Sequence, residues 1–136
     1  MANLARAASE IRFARQTDRL DELVRFYTDG LGLERIGGFE DHAGYSGVIL
    51  GVPGRELQLE FISHAEGSPG EAPTAENLLV LYLPDAEARD RAAKRLRALG
   101  GAEVAAENPW WDGLGALTFA DPDGWRVVLV PSAWNA

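Results

Sequence analysis

The sequence predicts an α+β fold in which two βαβββ modules make up one domain over residues 1–136. Three observations carry that expectation. The hydrophobic period alternates between about 2 and about 3.6, in the same order twice along the chain. Glycine, not long linkers, punctuates the changes. The chain has 136 residues, 46% of them apolar, enough to bury one respectable core but not two separate ones.

Module one covers about residues 9–64. It begins with IRFAR, a short strand. Leu20, Leu23, Val24, Tyr27 and Leu31 then recur at helical spacing, with Asp18 where an N-cap would stand and Gly30 and Gly32 as the stop. Three strand candidates follow: LERIGGF, YSGVILG and, after the turn VPGR, ELQLEFI. The stretch SHAEGSPGEAPTAE is rich in Gly, Pro and Glu and predicts an exposed linker over about residues 65–76.

Module two, about residues 77–131, repeats the order. NLLVLYL is its first strand, and DAEARDRAAKRLRALGG is an amphipathic helix with Ala88, Ala92, Leu96 and Leu99 turned inward. AEVA, GALTFA and WRVVLV complete it as strands. ENPWWDGLG reads as the loop between the second and third of its strands.

Charge and composition exclude several classes of function. A formal charge of -8 repels phosphate backbones and anionic headgroups, so neither nucleic acid nor membrane is an expected partner. No apolar run approaches the roughly 20 residues that span a bilayer. The chain has no cysteine, which removes disulfides and thiolate metal sites. MANLARAASE lacks the apolar centre of a secretory signal, so a cytoplasmic setting is expected. No Ser, His, Asp triad assembles, and GLGLERIGG follows a helix, the wrong context for a dinucleotide fingerprint.

FYTDGLGLERI, LQLEFI, the helix end RALGG and above all DPDGWRVVL resemble the vicinal oxygen chelate superfamily of glyoxalase-like, bleomycin-resistance-like and dioxygenase-like proteins. The resemblance covers about residues 9–131. It implies a cup-shaped mixed sheet, each module curling into half of a cup, and a homodimer with modules paired either within or across subunits. In the superfamily's enzymes, His or Glu side chains from the first and last strand of each module hold one divalent metal, which polarises an oxygen-rich substrate.

Those four places can be inspected here. The last strand of module one offers Glu60, a suitable donor. Gly32 lies 28 residues before Glu60, and Gly100 lies 28 before Val128, so the repeat sets valine where a second carboxylate would stand. The first strand offers Ile11 or Arg12. Period two favours Arg12 in the cup, because Ile11 and Phe13 then share the face that a helix must cover. The fifth strand offers Asn77 or Leu78. One carboxylate beside a guanidinium makes an incomplete ligand set, so no metal and no other cofactor is expected.

The same phases collect Arg12, Gln58, Glu60 and Arg126 as polar residues of the cup, with Trp110 and Trp111 as stacking groups over it. Glu60 has two readings: a structural ion pair with Arg12 or Arg126, or a group that binds or deprotonates a ligand. Trp125 is expected under a helix, Tyr45 at the rim, and His42 and His64 in exposed or capping positions. Two functions stay open. One is a metal-free binding protein for a small organic molecule; the other is a divergent lyase, isomerase or dioxygenase.

Overall fold

The computed structural model describes residues 4–134. Module one runs β1 (Ile11–Gln16), α1 (Leu20–Arg25), a π turn (Phe26–Gly30), β2 (Glu34–His42), β3 (Tyr45–Gly51) and β4 (Leu57–His64). Module two runs β5 (Leu78–Tyr82), α2 (Ala86–Ala98), β6 (Ala102–Val104), α3 (Pro109–Gly113), β7 (Leu117–Ala120) and β8 (Arg126–Val130). The strands form two mixed sheets of the same order, β1-β4-β3-β2 and β5-β8-β7-β6. In each, the first and last strands of the module pair in parallel and the remaining pairs are antiparallel.

Register assigns the faces. Arg12 lies opposite Gln58 and Phe13 opposite Leu59, while Val48 and Leu50 lie opposite Phe61 and Leu59. One face of sheet one therefore carries Leu59, Phe61, Val48 and Leu50, which pack with Leu23, Phe26 and Tyr27 of the helical segment. The other face carries Arg12, Gln58, Glu60 and Ile49 and has no helix of its module over it. In sheet two, Val127, Leu129 and Phe119 join the same core with Ala93 and Leu96 of α2. The two modules thus share one apolar core, with their helices between the sheets.

Several local features depart from the sequence reading. Asp18 does not cap α1: its carboxylate accepts from Ser68 N–H, and Thr17 Oγ1 accepts the Arg19 N–H instead. The helix ends in a π turn, with Leu31 N–H bonded to Phe26 O at 3.2 Å, before Gly32 adopts φ +80. The inter-module segment is not simply exposed. Ser68 is buried and donates to Thr17 O, and a Cβ at Gly70 would overlap the Gln16 carbonyl, so the chain there lies on the end of β1. In α2, the buried face centres on Ala93 and Leu96, with Ala92 partly buried beside them.

ENPWWDGLG is not a plain loop. Asn108 Oδ1 accepts the Trp110 N–H and Pro109 opens the first turn, so α3 begins with a side-chain cap and a residue already set to helical φ. No helix among the described residues is long and apolar enough to cross a membrane.

Candidate binding sites

Glu60 projects from β4 onto the open face of sheet one, where it is 16% exposed. Arg12 from the neighbouring β1 places Nη1 3.6 Å from Glu60 Oε1. The same guanidinium donates through Nε to Gln58 Oε1 at 2.8 Å and through Nη2 to Glu10 Oε2 at 3.2 Å. Parallel pairing of β1 with β4 brings these residues together. The Arg12 phase inferred from the sequence therefore holds, and the ion pair of Glu60 is with Arg12.

Beside this polar stripe stands an apolar wall. A Cβ added to Gly47 would lie 2.6 Å from Phe39 Cζ, and one on Gly51 would lie 3.3 Å from Ile36 Cδ1. The glycines of β3 thus make room for the Phe39 and Ile36 side chains of β2, which lie over them next to Ile49. The open face offers a cation, an amide and a carboxylate beside exposed hydrocarbon.

Arg126, Trp110 and Trp111 do not join Glu60 in this way. Arg126 starts β8 and donates to Ala105 O at 3.2 Å; no hydrogen bond or ion pair connects it to Glu60 among the described residues. Trp111 packs with Leu114, Leu78 and Val80 against buried Ala116, Val128 and Val130, roofing the face of sheet two that sheet one leaves open. Trp110, on the next position of the same short helix, is 57% exposed. Capping at Asn108 explains the split, since a helical turn sends adjacent side chains in different directions.

Trp125 also departs from expectation. It lies not under a helix but in a cleft of about 450 Å³ between the modules, lined among others by Phe13, Arg15, Leu57, Leu78 and Arg126. Ile11 and Phe13 share the phase of Leu59, as expected, yet are 40% and 55% exposed. The helical segment over residues 20–30, expected to cover them, packs instead on Val48 and Leu50 of β3 and Leu59 and Phe61 of β4, leaving the β1 edge of that face open.

A buried network forms the floor of that cleft, and sequence reasoning missed it. Arg15 sits with its guanidinium carbon 5.0 Å from the Phe61 ring centre and 4.7 Å from that of Trp125. Its Nη2 binds Asp121 Oδ2, which also accepts Tyr27 O–H at 2.8 Å. Asp121 Oδ1 accepts the N–H groups of Asp123 and Trp125, fastening the DPDG turn. Arg19 Nη1 donates to Asp123 Oδ1 at 3.1 Å. Burial pushes the Asp121 carboxyl above its ordinary range against the pull of Arg15, and burial followed by the Asp121 charge pushes the Tyr27 phenol well up. The available signal was Arg15 itself, a charge in phase with Ile11 and Phe13.

His42 ends β2 in an exposed hairpin. His64 is the last residue of β4; its Nδ1 accepts Glu66 N–H at 3.0 Å, and its ring meets Tyr45 edge-on at 4.5 Å. Tyr45 is an exposed strand end.

Paired four-stranded sheets with this module order are the vicinal oxygen chelate fold. The chain is similar to the trypanothione-dependent glyoxalase I of Leishmania major (TM-score 0.70, 18% identity, 91% of this chain and 86% of that one). It is similar also to the antibiotic-binding protein TnmS3 of a Streptomyces (TM-score 0.61, 20% identity, 93% and 98%). Within that fold the chain belongs to the YycE-like family, whose N-terminal and C-terminal domain models match residues 11–62 and 76–131. The Bacillus subtilis protein YycE, of unknown function, is 45% identical over 125 residues, 92% of this chain and 89% of its own. Its crystal structure superposes with a TM-score of 0.89 at 43% identity over 95% of this chain and 93% of that one.

The residues do not fit the divalent metal of the superfamily's enzymes. The four positions hold Arg12, Glu60, Leu78 beside Asn77, and Val128. Val128 is fully buried, and Glu60 already faces a guanidinium. Among the described residues no three His, Cys, Asp or Glu side chains converge.

Proposed function

We propose that this protein binds a small organic molecule, without a metal, on the open face of sheet one. The observation that carries the reading is the grouping of Arg12, Gln58 and Glu60 beside Ile36, Phe39 and Ile49. There a ligand meets charge, hydrogen-bonding groups and apolar surface together. One sheet makes only half a cup, so the proposal includes a cytoplasmic homodimer in which a second copy closes it. The fold relatives that act on or bind small molecules, a glyoxalase I and an antibiotic-binding protein, support the class of ligand but not its identity.

Protein purified without chelator is expected to carry no stoichiometric transition metal; about one ion per chain overturns the metal-free reading. A thermal-shift screen supplies a ligand. Glu60→Gln and Arg12→Met are each expected to weaken it about tenfold, corresponding to 1.4 kcal/mol. Unchanged affinity in both folded variants moves the site elsewhere. Light scattering at micromolar concentration tests the dimer. Because Arg12 stands 3.6 Å from Glu60, beyond hydrogen-bond distance, metal-free catalysis is the second reading: turnover that survives chelation and disappears in Glu60→Gln would establish it.

A further inference from the structure

We propose that the cleft between the modules is a second binding site, separate from the open face carrying Glu60, and that it takes a small aromatic organic anion, a carboxylate or sulfonate. None of Arg12, Gln58 or Glu60 lines it. Its volume of about 450 Å³ lies within the common range for small-ligand sites, roughly 300 to 1,000 Å³.

Three features define the ligand. The walls are aromatic and aliphatic. Phe13 and Leu57 are 55% and 51% exposed although they occupy the phase of core residues, so hydrocarbon faces the cleft with nothing from the chain over it. Trp125 is held in place: its Nε1–H donates to Gly70 O at 2.7 Å, one face meets Arg15, and Phe13 approaches it edge-on at 6.5 Å. A ring entering beside Phe13 finds its partner already oriented, and little side-chain entropy is lost.

The third feature is charge. Arg15, the cation of the floor, is neutralised by Asp121. Arg126, at the wall, has no ion pair among the described residues; its guanidinium holds only the Ala105 carbonyl, leaving further N–H groups for an acceptor. Glu76, the remaining charge of the lining, is exposed, where solvent screens its repulsion of an anion. One guanidinium suits a single carboxylate or sulfonate, and no helix N-terminus or second unpaired cation is present in the lining to favour a phosphate.

The test uses the full chain and 8-anilinonaphthalene-1-sulfonate as probe, with titration followed by calorimetry and probe fluorescence. Saturable binding of one probe per chain is expected. Arg126→Gln and Phe13→Ala should each weaken it about tenfold without lowering Tm materially, since both side chains are partly exposed, and Glu60→Gln should leave it unchanged. The uncharged analogue N-phenyl-1-naphthylamine should bind more weakly than the sulfonate and be indifferent to Arg126→Gln. Non-saturable binding, or binding that survives both cleft substitutions, overturns the proposal. So does a parent dimer that excludes the probe and is dissociated by Phe13→Asp, which would show the cleft to be covered by a second copy. Loss through Glu60→Gln alone would assign the probe to the open face.

Discussion

Asp121 shows how much one side chain can settle. One oxygen closes the DPDG turn through two backbone N–H groups; the other receives Arg15 and Tyr27 from the opposite module. Removing Arg15 leaves the buried Asp121 carboxylate its hydrogen bonds from Tyr27 and the turn but takes away its cation. Arg15→Met is therefore expected to cost about 3–5 kcal/mol in denaturant unfolding, and Arg15→Met with Asp121→Asn to recover part of that. Tyr27 adds a pH dependence. Its phenol is raised well above its ordinary value of 10.0, chiefly by burial, so the folded state keeps the proton after the unfolded chain has lost it. The stability this contributes is complete below the ordinary value and falls as pH rises from there through the folded value. The parent should lose up to about 1.4 kcal/mol per pH unit more than Tyr27→Phe in that alkaline window. Parallel slopes for the two proteins in urea titrations would refute it.

At the scale of elements, the inter-module segment and α3 govern what the aromatic residues do. Gly70 has no room for a side chain against Gln16 O, and its own carbonyl anchors Trp125. Gly70→Ala should cost about 1–3 kcal/mol and shift the tryptophan emission as the indole loses its acceptor. Asn108 caps a helix of only five residues, so its loss has few compensations. Asn108→Ala should cost about 0.5–2 kcal/mol and increase acrylamide quenching, because Trp111 would no longer be held over Val128. Quenching equal to the parent's would mean that apolar packing alone holds α3. Only the first of these roles is out of local reach, since the α3 start is written in the adjacent Asn108 and Pro109. PWWDG looks like a loop until its cap is recognised, and a Gly-, Pro-rich segment looks free until its carbonyls are counted.

Across the molecule, the helices lie between the sheets and close one core. A Cβ on Gly30 would lie 2.5 Å from Leu96 Cδ2, which is how tightly the π turn of module one meets α2 of module two. Leu96→Ala should then destabilise by about 2–5 kcal/mol and accelerate hydrogen exchange at Leu50 and Val127 together. Exchange that rises in module two alone would show that the modules open separately.

The sequence by itself determined the two-module order, the sheet-forming segments, the α2 helix and the phase that sets Arg12 and Glu60 on one face. Each is carried by a period of about 2 or 3.6, or by a spacing within one repeat, and such signals survive without knowledge of neighbours. Only the tertiary structure decided what the aromatic and charged residues face. Arg15 meets Asp121 across 106 positions, Trp125 meets Gly70 across 55, and Arg126 looks into a cleft away from Glu60. A strand's phase names a face but not what lies opposite, because that depends on how two sheets and their helices dock, a long-range packing choice that no local period encodes.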